Sequence, residues 1–390
     1  MNILIYRYGS ICEPDIIDAF TRLGLNVLEE RTEITNKRLS SADRVQLVER
    51  YLKDEHPLFV FSINFYPAIA EICAIYRTLY LCWTVDSPVP ELFSDSIRRS
   101  ANRIFLFDRA QYQTFAPYNP EHIYHLPLAS CTDRFDKVIS ALTQDDISKY
   151  SAEISFIGSL YSEKNPMRRL RGLSDHAAGY IDALVDASLK IYGYNPVPDA
   201  MTSELAAEIK SHASDFYTLG KSVADPDRYI AAHSYVGMQI AETERIRTLN
   251  TLARYFHVDL FTRSDTSDLK NVHVHGGVET LTEMPKIFHL SKINLNMTIK
   301  PIQTGLPLRI FDILGCGGFL MTNYQEELPD YFEIGVDLEA YSSMDELVDK
   351  CAYYLEHDDE RKQIALNGYR KVCEHHTYIH RMKEMIAVLA

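Results

Sequence analysis

The segment from Gln303 to Gly318 holds residue types that suit a charged, hydroxyl-rich ligand. Gly305 allows close approach of the main chain, Arg309 carries a forked cation, and Asp312, one turn further on, accepts hydrogen bonds from hydroxyls. The segment follows an apolar run, Ile293 to Met297, and reads as a loop feeding a helix whose first turn carries partial positive charge. A diphosphate against those amides, with Arg309 beside it and a sugar or ribose hydroxyl on Asp312, is the chemistry this pattern suits. The same letters also fit an Arg309–Asp312 pair at i, i+3 on a solvated face, with Gly315-Cys316-Gly317-Gly318 as a helix stop.

Three further groups follow apolar runs. Gly158-Ser159-Leu160-Tyr161, with Lys164 behind it, offers small residues and a cation for phosphate, although an ordinary turn has the same composition. In His273-Val274-His275-Gly276-Gly277 the two histidines alternate onto one side of a strand. A metal needs a third ligand, and none stands at helical or strand spacing, so no metal is expected and His275 with Gly276 remains a contact to phosphate or sugar. In Trp83-Thr84-Val85-Asp86-Ser87-Pro88, Asp86 is placed to take a proton from a hydroxyl or to cap residues 87–98. Trp83, the sole tryptophan, and Tyr8-Gly9 after the first run would line the same place.

Other letters lead nowhere. Asp225-Pro226-Asp227 has the Asp-x-Asp form of a metal clamp but follows no buried strand, and Asp108-Arg109 reads as a helix start. The nucleotide-loop, dinucleotide, serine-elbow and zinc-helix motifs are absent, which argues against kinase, dehydrogenase, esterase and metalloprotease chemistry.

These residues need a scaffold that aligns strand ends. In residues 1–127, runs at Ile3 to Tyr6, Leu58 to Ile63, Leu79 to Val85, Arg103 to Phe107 and His122 to Leu126 alternate with helical patterns. The pattern is that of a parallel sheet covered by helices. After the polar stretch 131–150, read as a linker, alternation resumes with runs at Ile154 to Ile157, Val258 to Phe261, Val272 to Val274, Ile293 to Met297 and Phe319 to Thr322. The expectation is α/β: two Rossmann-like doubly wound domains facing across a cleft, at 1–130 and 151–374, with 375–390 as a terminal helix. A chain of 390 residues exceeds one ordinary core, which agrees with two domains.

A net charge of -14, without a basic stripe, argues against nucleic acid as a partner. No apolar run reaches the ~18 residues of a membrane span, and Met1 leads directly into a strand pattern, so neither span nor classical export signal is expected. The odd number of cysteines, 7, in largely apolar surroundings fits reduced thiols and a cytoplasmic setting.

Three blocks resemble the CgeB-like (spore-maturation-type) glycosyltransferase family. They are Trp83 to Pro88 with Arg103 to Asp108; Ile154 to Tyr161; and the stretch from His275-Gly276-Gly277-Val278 through Arg309-Ile310-Phe311-Asp312 to His375-His376-Thr377-Tyr378. The resemblance implies a GT-B fold, a nucleotide-sugar donor (commonly a uridine one) in the C-terminal domain, a glycan or protein acceptor in the N-terminal domain, no cofactor and no metal. Carried onto this chain, it marks Gly158, Ser159, His275, Gly305, Arg309 and Asp312 for the donor, with Tyr161, Gly276 and Thr304 beside them. Asp86 and Arg309 would carry the chemistry, with Tyr8, Gly9 and Trp83 on the acceptor side. Retaining GT-B enzymes have two glutamates eight positions apart where this chain has Thr304 and Asp312. A non-catalytic nucleotide-sugar binder and a nucleotide-sugar epimerase remain alternatives on the same scaffold.

Overall fold

The structure, a computed structural model, describes residues 1–389 and divides into two compact units. The first comprises Met1–Leu128, Tyr217–Pro226 and the chain from Tyr378 on; the second comprises Ala129–Phe216 and Asp227–Thr377.

The first unit is built on a six-stranded, wholly parallel sheet. Its strands are β1 (Asn2–Tyr6), β2 (Asn26–Glu30), β3 (Phe59–Ile63), β4 (Leu79–Trp83), β5 (Asn102–Leu106) and β6 (Ile123–His125), in the order β2-β1-β3-β4-β5-β6. β3 is buried at every position, as expected of a central parallel strand with both faces covered. β2 was not expected from the sequence. It is an edge strand reading Asn-Val-Leu-Glu-Glu, and its Glu30 is buried against Arg50 and the Thr32 N–H, so neither apolar run nor alternation marks it. The helix Tyr378–Ala387 buries Met382 and Met385, packs on the helix Glu13–Arg22, and donates from Arg381 Nε to the Pro127 carbonyl at 2.9 Å.

The second unit holds another six-stranded parallel sheet: β7 (Ala152–Ile157), β8 (Val258–Phe261), β9 (His273–His275), β10 (Ser291–Asn296), β11 (Leu320–Asn323) and β12 (Glu339–Tyr341). The order is β12-β11-β10-β7-β8-β9. Ile154, Phe156, Leu249, Leu260, Leu295 and Met321 belong to its core, between sheet and covering helices. The short edge strand β12, Glu-Ala-Tyr, also lacked a sequence signal. Residues 131–150, expected as a linker, instead form helices Thr132–Ser140 and Gln144–Tyr150 within the second unit. The physical reasons are the buried Phe135 and a capping box between Thr143 and Asp146.

Candidate functional site

In the second sheet the chain builds from β7 outward to β8 and β9, then returns to place β10 on the other side of β7. Ligands of open α/β sheets bind outside the strand carboxyl ends at such a reversal. The segments emerging there are Gly158–Tyr161 after β7 and the loop from Met297 to Pro307 after β10.

Arg245, on the helix Gly237–Leu252, ties these two segments together. Its Nη1 donates to the Ser159 carbonyl and its Nη2 to the Met297 carbonyl at 2.9 Å. The guanidinium stacks 4.5 Å from the Tyr161 ring centre and 5.2 Å from that of Phe156. Burial pushes its pKa down, and its buried Nε–H has no acceptor. Among the described residues, no carboxylate forms an ion pair with it.

Arg309 is the second cation. It lies in the first turn of the helix Leu308–Gly315, with Nη1 at 2.6 Å from Met284 Sδ and its guanidinium 5.1 Å from the Phe288 ring centre. Burial lowers its pKa; the Asp312 charge opposes that shift and the Arg245 charge adds to it. Asp312 itself is buried. Among the described residues no Arg309–Asp312 ion pair forms, and both groups are withdrawn from solvent, so the surface-pair alternative fails. Two guanidiniums near enough to perturb each other, neither ion-paired to a carboxylate among the described residues, form a locus that an anion would suit.

The other donor-side residues divide. The Gly158 N–H is already bonded to the Phe261 carbonyl at 3.1 Å, so it continues the sheet ladder and is not available to a phosphate. Its lack of a side chain serves packing, since a Cβ would meet the Phe156 ring at 3.3 Å and Arg245 at 3.8 Å. Ser159 Oγ accepts from the Tyr161 N–H at 2.8 Å, and Tyr161 sits at φ 69 with its ring against Arg245. Thr304 Oγ1 donates to Glu327 at 2.7 Å, and the Gly305 carbonyl accepts from Gln325, so this loop is clamped by the segment after β11. Among the described residues, the Ser159 and Gly305 N–H groups find no acceptor in the chain.

His275 and Gly276 stand at the carboxyl end of the same sheet, level with Phe261 and Ile157, with the donor contact itself not drawn by any bond in the chain. β9 is the edge strand, two strands out from β7. His275 stacks on Phe261 with ring centres 4.4 Å apart, and its Nε2 lies 2.8 Å from Asp259 Oδ1. The ground for expecting no metal, the lack of a third candidate ligand near the two histidines, does not hold across the sheet. Asp259 and His257 bring ligand atoms within 4.8 Å of those of His273. Parallel pairing sets Asp259 opposite His273, a proximity that spacing along the chain does not reveal.

In the first unit a cavity of ≈ 930 Å³ opens where the segments after β1, β3 and β4 emerge, lined by Tyr8, Asn64, Tyr66, Asp86, Glu91 and Tyr217 among others. Asn64 positions Asp86: its Nδ2 donates to Oδ2 at 2.7 Å while its Oδ1 accepts from the Val85 N–H at 3.1 Å. Asp86 caps no helix, because the turn Pro90–Phe93 has Val89 at its N-cap. Burial raises the Glu91 carboxyl, and the Asp86 charge adds to that shift although Tyr217 opposes it. Burial also raises the Tyr8 phenol, again with Asp86 contributing. For Glu33, burial alone would raise the carboxyl, but two hydrogen bonds from Arg44, 2.8 and 2.9 Å, and one from Tyr6 outweigh it and hold the group low. Arg99 also pairs with Glu71, at 3.0 Å. Asp86 and Glu91 therefore face the cavity beside phenol rings, a lining suited to hydroxyl-bearing ligands.

Gly9, at φ +94, shapes the turn beside Tyr8. Trp83 does not line the cavity. It is fully buried, donates from Nε1 to the Leu126 carbonyl at 3.3 Å and packs edge-on against Tyr378.

Sequence reasoning missed Arg245 and Glu91. A signal for Arg245 existed: it shares a helical stripe with Leu249 and Leu252 at i+4 and i+7, and a cation in an apolar stripe is unusual. Glu91 carries no comparable mark.

Residues 243–387, which include both arginines, match a protein family described as glycosyl transferase-like. No curated protein matches the sequence. Among solved structures, HepE from Anabaena, in complex with UDP and glucose, is 13% identical, with 100% of this chain and 99% of that one covered, at a TM-score of 0.52. Sucrose-phosphate synthase from Thermosynechococcus elongatus is 9% identical over 100% and 99%, at 0.58. A glycosyltransferase from Rickettsia africae is 12% identical over 100% and 98%, at 0.53. At such identities the likeness shows the fold, and the fold is GT-B: two Rossmann-like α/β domains in one chain. The matched domain and the fold together support a glycosyltransferase as the class of enzyme.

Proposed function

We propose that this chain transfers a sugar from a nucleotide-sugar donor to a hydroxyl of a glycan or protein acceptor without a metal, in the manner of the CgeB-like enzymes its motifs resemble. One observation carries the reading. Arg245 and Arg309 lie at the strand reversal of the C-terminal unit, partly or wholly desolvated and without carboxylate partners, where an anion would satisfy both. The donor diphosphate fills that need, with the Ser159 and Gly305 N–H groups as further donors and Asp312 accepting from a sugar or ribose hydroxyl. As the bond from the anomeric carbon to the phosphate oxygen breaks, negative charge grows on the departing diphosphate. Preorganised guanidiniums stabilise that charge, the task a metal performs in other transferases. A uridine donor is favoured by the UDP held in HepE, whose fold this chain shares.

The acceptor belongs to the cavity of the N-terminal unit. Its hydroxyl oxygen forms the new bond to the anomeric carbon, and its proton passes to a carboxylate. Asp86 and Glu91 are the candidates, and Glu91 is the better base because a raised pKa makes its ionised form more basic.

The test supplies UDP-, GDP-, ADP- and dTDP-sugars, labelled in the sugar, with and without oligosaccharide and peptide acceptors. Transfer predicts release of one nucleotide with label appearing on an acceptor. A donor pool left intact across the panel would leave only a binding module, and label changed while still attached to nucleotide would indicate an epimerase.

A further inference from the structure

The outer edge of the C-terminal sheet carries a cluster that the transfer chemistry does not use. His257, just ahead of β8, and Asp259 point to one face by strand alternation, while His273 and His275 on β9 point to the same face through the pairings Asp259↔His273 and Phe261↔His275. Three imidazoles thus meet one carboxylate. His273 Nδ1 and His275 Nε2 each lie 2.8 Å from Asp259 Oδ1, and His257 Nε2 lies 3.5 Å from Oδ2. The ring centres of His257 and His273 are 5.4 Å apart.

Hydrogen bonding accounts for two of these approaches but not the third. A separation of 3.5 Å exceeds a hydrogen bond. It is close to the edge of a ligand tetrahedron around zinc, roughly 3.4 Å for metal–ligand distances of about 2.0–2.1 Å. The ligand atoms of His257, Asp259 and His273 all lie within 4.8 Å of one another. Closing that set around an ion moves only exposed side chains, because His257 and His273 are 61% and 58% exposed while Asp259, at 7%, is fixed. Exposure of the two rings also gives an ion a route of entry.

We propose that His257, Asp259 and His273 bind one divalent transition-metal ion of the zinc class, leaving a coordination position for water, and that His275 positions the Asp259 carboxylate from behind. Nitrogen donors select zinc, nickel or copper over magnesium and calcium, which prefer all-oxygen shells. The ion clips edge strand β9 to β8, away from the guanidinium pair at the reversal between β7 and β10.

The experiment uses the full chain stripped with chelator and titrated calorimetrically with zinc chloride, with magnesium chloride as a second arm and thermal melting as a second readout. One zinc per chain with a raised melting point is expected, and no response to magnesium. The paired substitution His257→Ala with His273→Ala, at exposed positions that leave the core intact, removes that binding event. His275→Ala weakens it about 10–100-fold, the range for a group acting on a ligand from outside the metal's own shell. Undiminished one-to-one zinc binding in the paired variant would overturn the site, since the metal would then lie on other histidines or cysteines. Absence of zinc binding to the parent chain would reduce the cluster to hydrogen bonding.

Discussion

Replacing Arg309 with methionine separates a functional cation from a structural one. In the fold Arg309 contributes a cation–π contact with Phe288 and an approach to Met284 Sδ, and no ion pair. The contact is worth about 0.5–2 kcal/mol. Against it stands the cost of keeping a charge in a desolvated place, seen in the downward push on its pKa and increased by Arg245 nearby. Methionine keeps the apolar stem and removes both terms, so stability should change by no more than about 1 kcal/mol, or roughly 2–4 °C in melting point. On the donor the balance differs. A charge-assisted donor aimed at the departing phosphate contributes about 2.7–4 kcal/mol, so nucleotide release at saturating donor should fall about 10²–10³-fold. Arg309→Lys restores charge without the fork and should recover part of the rate. The assay is label transfer at saturating donor, run beside thermal melting on the same preparations. Turnover within about threefold of the parent, under ~1 kcal/mol of lost transition-state stabilisation, would refute the role in a folded protein. A melting point lowered by more than about 10 °C would instead make Arg309 a structural residue.

Three further outcomes follow from the same geometry. Arg245→Met should lower both melting point and donor affinity, because each lost bond to the Ser159 and Met297 carbonyls is worth about 1.5–3 kcal/mol and leaves a carbonyl unpaired; melting and UDP titration together distinguish it from Arg309→Met. If Glu91 is the base, only its ionised form works, and burial raises its pKa, so kcat/KM should climb with pH through a limb lying above the ordinary glutamate range. Glu91→Gln should abolish that limb, and a pH profile unchanged by the substitution would return the role to Asp86. Gly368→Ala tests the packing of the helix Asp358–His375: propensity alone favours alanine by about 1 kcal/mol, but the new Cβ would lie 2.3 Å from the Asp337 carbonyl oxygen. Overpacking against main chain costs about 1–3 kcal/mol, so a net loss of up to about 2 kcal/mol and a melting point lower by up to about 8 °C are expected in a thermal scan.

What the sequence disclosed, and what it withheld, follows from the range of each signal. Central strands such as Phe59–Ile63 are apolar because both faces are covered, so they stand out in one dimension; the edge strand Asn26–Glu30 is only partly covered and its polar letters hide it, while Glu339–Tyr341, though buried, is three residues long and begins with a glutamate, too short to show a pattern. Arg309 and the glycine loop before it could be singled out because a helix start and the loop before it are contiguous in the chain. Arg245 was not, since the carbonyls it bridges, at Ser159 and Met297, lie 86 and 52 residues away. Trp83 misled for the converse reason: an aromatic ring at a strand end fits a binding surface and a core equally well, and only Tyr378 and the Leu126 carbonyl decide between them.

The two histidines on β9 show the limit most sharply. Read along the chain they lack a third ligand; read across the sheet they have two, because parallel pairing places Asp259 beside His273 and alternation turns His257 the same way. Chemistry assembled by register, in which no two partners need share a motif, escapes any reading that counts spacing within one segment. The guanidinium pair obeys the same rule. Arg245 and Arg309 come from helices separated in sequence, and the anion site proposed for them depends on β7 and β10 being neighbours in the sheet. A substitution that shifts the β7–β10 register should therefore impair donor binding while leaving both arginines in place.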